Sequence, residues 1–177
     1  MRTQIETDRL VLRLPRLEDA EAWSVATEDA EVMRFIGGSD AAANQSIERF
    51  LERWDANGFG QYAIEHREDG AFLGRIGLLV WDTRGWRRST LPEAGDAGEI
   101  ELGWALLRSH WGHGYATEAA EAVRAAAWAD LELERLVSLI HPDNARSIHV
   151  AERLGARFDR EVESTDVGRL QVWVHPR

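Results

Sequence analysis

The chain has 177 residues, 44% of them hydrophobic, a formal net charge of -10 and no cysteine. Length and apolar content predict one globular domain over residues 1–177, while the acidic balance disfavours nucleic acid and anionic membranes and would draw a cationic substrate. Disulfides, thiolate metal sites and thiol catalysis are excluded, and because all 21 basic residues are arginine, so are a lysine Schiff base and a P-loop lysine.

Residues 1–8 carry no apolar leader and no later run approaches the length of a membrane span, so the expectation is a cytoplasmic protein, monomer or homodimer. Leu10, Leu12 and Leu14 alternate with Val11 and Arg13, predicting a first strand over Ile5 to Leu14, closed by Pro15. Leu17 to Thr27 spaces Leu17, Ala20, Trp23 and Val25 as an amphipathic helix. Glycines at 37 and 38 break the chain. A second helix is predicted from Ala43 to Ala56, with Ile47, Phe50, Leu51 and Trp54 on one face and Asn57-Gly58 as its stop. From Gly60 the period changes to two. Tyr62 to Ile64 and Phe72 to Trp81 form a hairpin about Glu68 to Gly70, and 82–98, with no period, reads as a long exposed loop. Its cluster of Arg84, Arg87 and Arg88 beside Trp86 is either a solvated face or a reach toward phosphate or an acceptor substrate.

Glu99 to Leu106 alternates acidic or small residues with large apolar ones and predicts a half-buried strand. It runs into a turn at Gly112 and Gly114 and then a helix from Tyr115 to about Ala129, whose Ala116, Ala119, Ala120, Val123 and Ala127 permit close packing on a sheet. The free N–H groups and positive dipole of such a helix start attract an anion, and the glycines let backbone come near it. Arg135 to Ile140 is a short buried strand, ended by His141-Pro142. Asp143 or Asn144 caps a helix through Leu154, with Gly155 after it. Phe158 to Glu163 and Leu170 to Val174 are two closing strands. The order is βααββ, a loop, then βαβαββ: an α+β (α/β) class with a mixed sheet of about seven strands and about four helices.

The glycine turn fits neither of two familiar phosphate seats. A P-loop needs Gly-Lys where Gly114-Tyr115 stands, and a dinucleotide fingerprint needs a third glycine where Thr117 stands. Its neighbours point elsewhere: Asn144 and Ser147 open the next helix one βαβ unit downstream. The opening residues 5–13, the strand at Glu101 to Trp104, the turn from Trp111 to Ala119, Asn144 to Ser147 and Ala151 to Gly155 together resemble the GNAT superfamily of N-acetyltransferases. Within it they are similar to the branch that acts on ribosomal-protein N-termini (RimJ/RimL-type), over nearly the whole chain.

The resemblance implies the GNAT fold, acetyl-CoA as co-substrate, no metal, and transfer of acetyl to a primary amine, either a protein N-terminus or a small cationic amine. It implies that the coenzyme A pyrophosphate sits on Gly112, His113, Gly114, Tyr115, Ala116 and Thr117. The pantetheine arm then pairs with the backbone of Trp104, Ala105 and Leu106. The superfamily's Gln or Arg three positions before the first glycine is Ser109 here, and Arg108 stands one place too early. Direct attack requires a base, because an amine is mostly protonated at neutral pH. Strand alternation puts Glu99 and Glu101 on one face with Gly103 and Ala105. Either is a candidate, Glu101 nearer the matched motif and Glu99 nearer the 82–98 loop, and either can instead pair with an arginine on a neighbouring strand. A backbone N–H near Trp104 is the candidate oxyanion donor. Ser147 is by family position a donor to the departing thiolate, with Tyr115 a second candidate; Ser147 can equally bond pantetheine or serve as a first-turn residue. Asn144 is a cofactor contact or an N-cap. Trp23, Phe35 and Trp54 are core or acceptor-pocket wall, and His110, His113, His141 and His149 lack the spacing of a metal set. The alternative to an enzyme is a non-catalytic or regulatory acyl-CoA binder of the same fold.

Overall fold

The computed structural model describes residues 1–36 and 43–177. The chain break expected at 37–40 lies outside the described residues. Nine strands form one mixed sheet: β1 (Gln4–Glu6), β2 (Leu10–Arg13), β3 (Gln61–His66), β4 (Phe72–Asp82), β5 (Arg87–Ser89), β6 (Gly98–Leu106), β7 (Val137–Ile140), β8 (Arg157–Ser164) and β9 (Gly168–Val174). Their order is β1-β2-β3-β4-β6-β7-β9-β8, with β5 hung on β4. Helices α1 (Asp19–Glu28), α2 (Ala30–Ile36), α3 (Ala43–Asn57), α4 (Leu91–Ala94), α5 (Tyr115–Asp130) and α6 (Ala145–Arg153) cover it.

The small face of α5 explains its seat: Ala119, Ala120, Val123 and Ala127 are fully buried against Leu102, Leu106, Ile76 and Leu78 of the sheet. The α1–α3 layer packs Trp23, Ile47 and Phe50 with Ala105 and Leu107. Each helix layer thus hides an apolar stripe against the sheet, the usual solution for a mixed α/β core. The start of α1 is tied to β2 and β3 by Arg13, which donates to both carboxylate oxygens of Asp19 at 2.8 Å and to Glu65 at 2.7 Å.

Four sequence expectations change. The single first strand is a hairpin, β1 and β2, turned at Thr7 to Arg9, where Thr7 N–H donates to the Leu10 carbonyl at 2.9 Å. Helix α2 is additional; Asp29 Oδ1 accepts the Glu31 N–H at 2.9 Å and so starts a new helix just after α1 ends. The 82–98 loop is ordered structure. Arg87–Ser89 pairs with Val80–Asp82, and Asp82 holds the bend by accepting Arg84 Nε at 2.7 Å and Arg84 N–H at 3.0 Å. Thr90 and Glu93 then form a capping box on α4. Among the described residues there are nine strands rather than about seven, and six helices rather than about four.

Candidate functional site

The sheet opens where β6 meets β7. These strands run parallel and register only at Glu101 and Val137, whereas β6 is paired with β4 along its whole length. At the fork Ser138 Oγ donates to the Leu102 carbonyl at 2.6 Å, and His175 Nε2 stands 2.8 Å from the same hydroxyl. Ser138 has one proton to give, so His175 is the donor to it through Nε2–H. Burial pushes the His175 pKa down to about 4, consistent with a neutral ring. From the fork a cavity of about 450 Å³ runs to the glycine turn.

At the turn end, Gly112 and Gly114 have φ of +82° and +81°, a region that costs other residues strain, and Gly114 is the N-cap of α5. Glu118 N–H bonds back to Gly114, which leaves the N–H groups of Tyr115, Ala116 and Thr117 as the free donors of a helix start beside the cavity. The turn is braced from a distance. Arg9, in the β1–β2 turn, donates to the His113 carbonyl at 3.0 Å and to Glu118 at 2.7 Å, and its guanidinium lies 4.6 Å from the Tyr115 ring centre. Glu118 also accepts from Thr7 Oγ at 2.6 Å. Hydrogen bonds to Thr7 and Arg9 outweigh the burial that would raise the Glu118 pKa, which is lowered.

Gly112, Gly114, Tyr115, Ala116, Thr117, Trp104, Ala105, Leu106, Asn144 and Ser147 all border the cavity. His113 does not: its exposed ring stacks on Tyr115 at 5.6 Å, so only its backbone belongs to the turn. Leu106 has its carbonyl occupied by Trp111 Nε1 at 3.0 Å. Asn144 is the N-cap, with Oδ1 accepting Ser147 N–H at 3.2 Å, while still facing the cavity. Arg108 points away, 4.0 Å from Asp29, and neither it nor Ser109 borders the cavity. Arg146, over the Trp111 ring at 4.6 Å, and Arg153 supply cations at this end.

The two glutamates separate. Glu99 is half-buried, lies outside the cavity and is 3.4 Å from Arg135, the distance of an ion pair. Glu101 borders the cavity and is 7% exposed, with Oε2 accepting the Trp81 indole at 2.5 Å. Burial raises its pKa above the ordinary carboxylate value; the Trp81 bond, Arg88, Arg75 and the Leu139 N–H pull the other way without cancelling it. Gly103 keeps the space beside it open, since a Cβ there would lie 3.2 Å from Glu101 Oε1.

Around Glu101 the walls come from Val32, Phe35 and Ile36 of α2, Arg88 of β5, Val167 of the β8–β9 turn and Leu170 of β9. Trp23 and Trp54 are core, but Phe35 is wall, 5.4 Å from His141. Sequence reasoning missed Arg75, Trp81 and Arg9; the matched opening segment contained Arg9, and nothing in the spacing of the other two marked them. The lining holds four arginines against two glutamates, opposite in sign to the chain as a whole.

Among the described residues no three His, Asp or Glu side chains converge as a metal-ligand group, and no helix is long and apolar enough to cross a membrane. A glycine turn, an open strand edge and flanking arginines fit a diphosphate with an extended amide arm, the shape of coenzyme A.

Known proteins share this architecture. An acetyltransferase from Agrobacterium tumefaciens str. C58 is 31% identical, with a TM-score of 0.81 over 100% of this chain and 96% of its own. The N-acetyltransferase p20 of Bacillus licheniformis, itself uncharacterized, is 26% identical over 88% of this chain and 82% of its own. RimL, a ribosomal L7/L12 alpha-N-protein acetyltransferase solved in complex with coenzyme A, shares the fold at 13% identity and a TM-score of 0.74, covering 97% of both chains. The model of the acetyltransferase (GNAT) domain matches residues 9–157, and the chain belongs to the GNAT family of acetyl-CoA-dependent acetyltransferases.

Proposed function

We propose that residues 1–177 act as one catalytic domain that transfers acetyl from acetyl-CoA directly to a primary amine, that of a peptide N-terminus or a small molecule, with Glu101 as the base. The observation that carries this reading is the buried, pKa-raised Glu101 carboxylate at the fork end of a cavity whose other end is an anion seat. Acetyl-CoA supplies a thioester, whose carbonyl is open to attack and whose thiolate is a good leaving group. Gly112 to Thr117 with Arg146 would hold its diphosphate, and the free edge of β6 at Trp104, on the side away from β4, its amide arm.

Glu101 receives the amine's proton, directly or through a water, as the new carbon–nitrogen bond forms and the carbon–sulfur bond breaks. A base with a raised pKa holds that proton more readily than an exposed carboxylate, and Trp81 fixes its orientation. The backbone N–H groups of the β6 edge near Trp104 are positioned to stabilise negative charge on oxygen. The thiolate takes its proton from solvent or from Ser147, which borders the cavity, so no acyl-enzyme is required. Two of the RimL-type branch's features, the opening segment and the Asn144–Ser147 cap, support placing the chain near N-terminal acetyltransferases.

The test is release of free thiol from acetyl-CoA with a panel of amines, followed by mass measurement of the product. A mass gain of one acetyl on an amine nitrogen supports the reading. Acetyl-CoA binding by calorimetry without turnover on any amine would instead support a non-catalytic acyl-CoA binder.

A further inference from the structure

Arg75 is not used by this chemistry, yet it is an expensive group to keep where it stands. It is 8% exposed and borders the cavity from β4. Nη1 donates to the neutral amide oxygen of Gln61 at 2.5 Å, Nε is buried without an acceptor, and no carboxylate among the described residues lies within 4.0 Å. Two aromatic rings flank it, the Trp23 and Phe50 ring centres each 5.3 Å from Cζ. Burial pushes its pKa down to about 9, even though Glu101 pulls it up. A buried cation with so little compensation is strongly disfavoured unless an anion joins it.

The geometry around it leaves a place for that anion. Across the β4–β6 ladder Arg75 pairs with Ala105 and Leu79 with Glu101, and between these two pairs lies Gly77 opposite Gly103. Arg75 and Glu101 therefore sit on one face of the sheet, some two pleats apart (~13 Å between backbones). Of these two, Gly103 borders the cavity and has no side chain to fill it, whereas the space beside Gly77 is held by the Gly60 carbonyl. Arg88 and Arg53 also raise the positive potential felt by Arg75, so Glu101 alone does not neutralise this end.

We propose that the acceptor is an amine that carries a carboxylate, and that Arg75 binds this carboxylate while Glu101 receives the proton of the amine. The assignment rests on the N-acetyltransfer reading above. Arg75 can offer a carboxylate two parallel N–H donors, geometry that a lysine would not provide. The carboxylate can be the α-carboxylate of a free amino acid or an acidic side chain next to a peptide N-terminus. Both present the same chemistry to Arg75.

Thiol release measured on matched acid and amide acceptors tests this: alanine against alaninamide for the first source, and Ala-Asp-amide against Ala-Asn-amide for the second, each corrected for its fraction of free amine. The expected result is a kcat/KM at least about tenfold higher for the acid in one of the two pairs, and the pair that shows it identifies the source. In Arg75→Gln, checked for a native melting transition, the acid-to-amide ratio should fall toward unity. Should that variant not fold, the wild type still decides. Glutarate, which has no amine, should inhibit competitively with the acceptor, and glutaramide should not. Turnover without acid preference in either pair, a preference unchanged in folded Arg75→Gln, or equal inhibition by glutarate and glutaramide would overturn the carboxylate assignment and leave N-acetyltransfer standing. Failure to acetylate any amine, with or without a carboxylate, would overturn both.

Discussion

Glu101→Gln keeps the shape of the buried side chain and removes its capacity to take a proton. The glutamine oxygen can still accept the Trp81 indole, which now lies 2.5 Å from Oε2, so the site should stay assembled. The variant does lose the negative charge that Arg75 and Arg88 feel, a cost of about 1–3 kcal/mol for a buried charged partner, within the margin of a stable domain. A general base contributes about 10²–10⁴ in rate. Because water can relay a proton into a cavity of this size, the lower end applies: a loss of about 100-fold in kcat/KM at neutral pH, or about 2.7 kcal/mol of barrier. The pH profile is the sharper readout. As pH falls, both the acceptor amine and Glu101 become protonated, so the wild-type acid limb should steepen below a midpoint that lies above the ordinary carboxylate range. The variant should show the amine's limb alone, and its deficit should narrow at high pH, where the amine is already free. A thiol-reactive dye reports the reaction without background, since the protein has no cysteine. Wild-type turnover with an unchanged acid limb in Glu101→Gln would refute the base assignment.

Arg9→Ala should raise the coenzyme A dissociation constant about fivefold, as expected for a half-exposed charged contact that braces the turn; calorimetry that shows no change would mean the turn holds its own shape. His175 has its pKa lowered from 6.5 to about 4, so the unfolded chain binds a proton in that window that the folded chain rejects. Its contribution is fully present above pH 6.5 and should drain by about 3 kcal/mol as pH falls toward 4, and His175→Gln should flatten the dependence of Tm on pH. An identical slope in both proteins would contradict this. Arg13→Met strands the buried Asp19 carboxylate and should cost about 3–5 kcal/mol, read from denaturant melts; a loss below about 1 kcal/mol would mean that Asp19 is satisfied by the Arg16 N–H alone.

The strands and helices with a clear period were legible in the sequence, among them β3, β4, β6, α3, α5 and α6. So was the glycine turn with its downstream Asn144 and Ser147. What escaped depends on distant partners. Residues 87–89 form a strand only because Val80–Asp82 offers a free edge, and Arg-Arg-Ser carries no hydrophobic alternation. Helix α2 has seven residues and is separated from α1 by Asp29 alone, so its apolar positions blend with the preceding pattern. Alternation put Glu99 and Glu101 correctly on one face but could not separate them, because the difference is Arg135 on one side and Trp81 on the other. Arg75 sits in a strand that is apolar from Ile76 to Trp81, where its charge alone gives no hint of a missing counterion.

The placement of the cavity walls has a consequence for how this protein and its relatives diverge. Residues that face the donor belong to one continuous stretch, 104–153, whereas the walls near Glu101 are drawn from α2, β5 and the β8–β9 turn. These three segments can be exchanged or reshaped without touching the glycine turn or the α6 cap. On the assignment proposed above, acceptor choice can then change apart from donor choice, so a chimera carrying another family member's 31–36, 87–89 and 165–170 together with its residue at position 75 should inherit its amine and keep the same thioester.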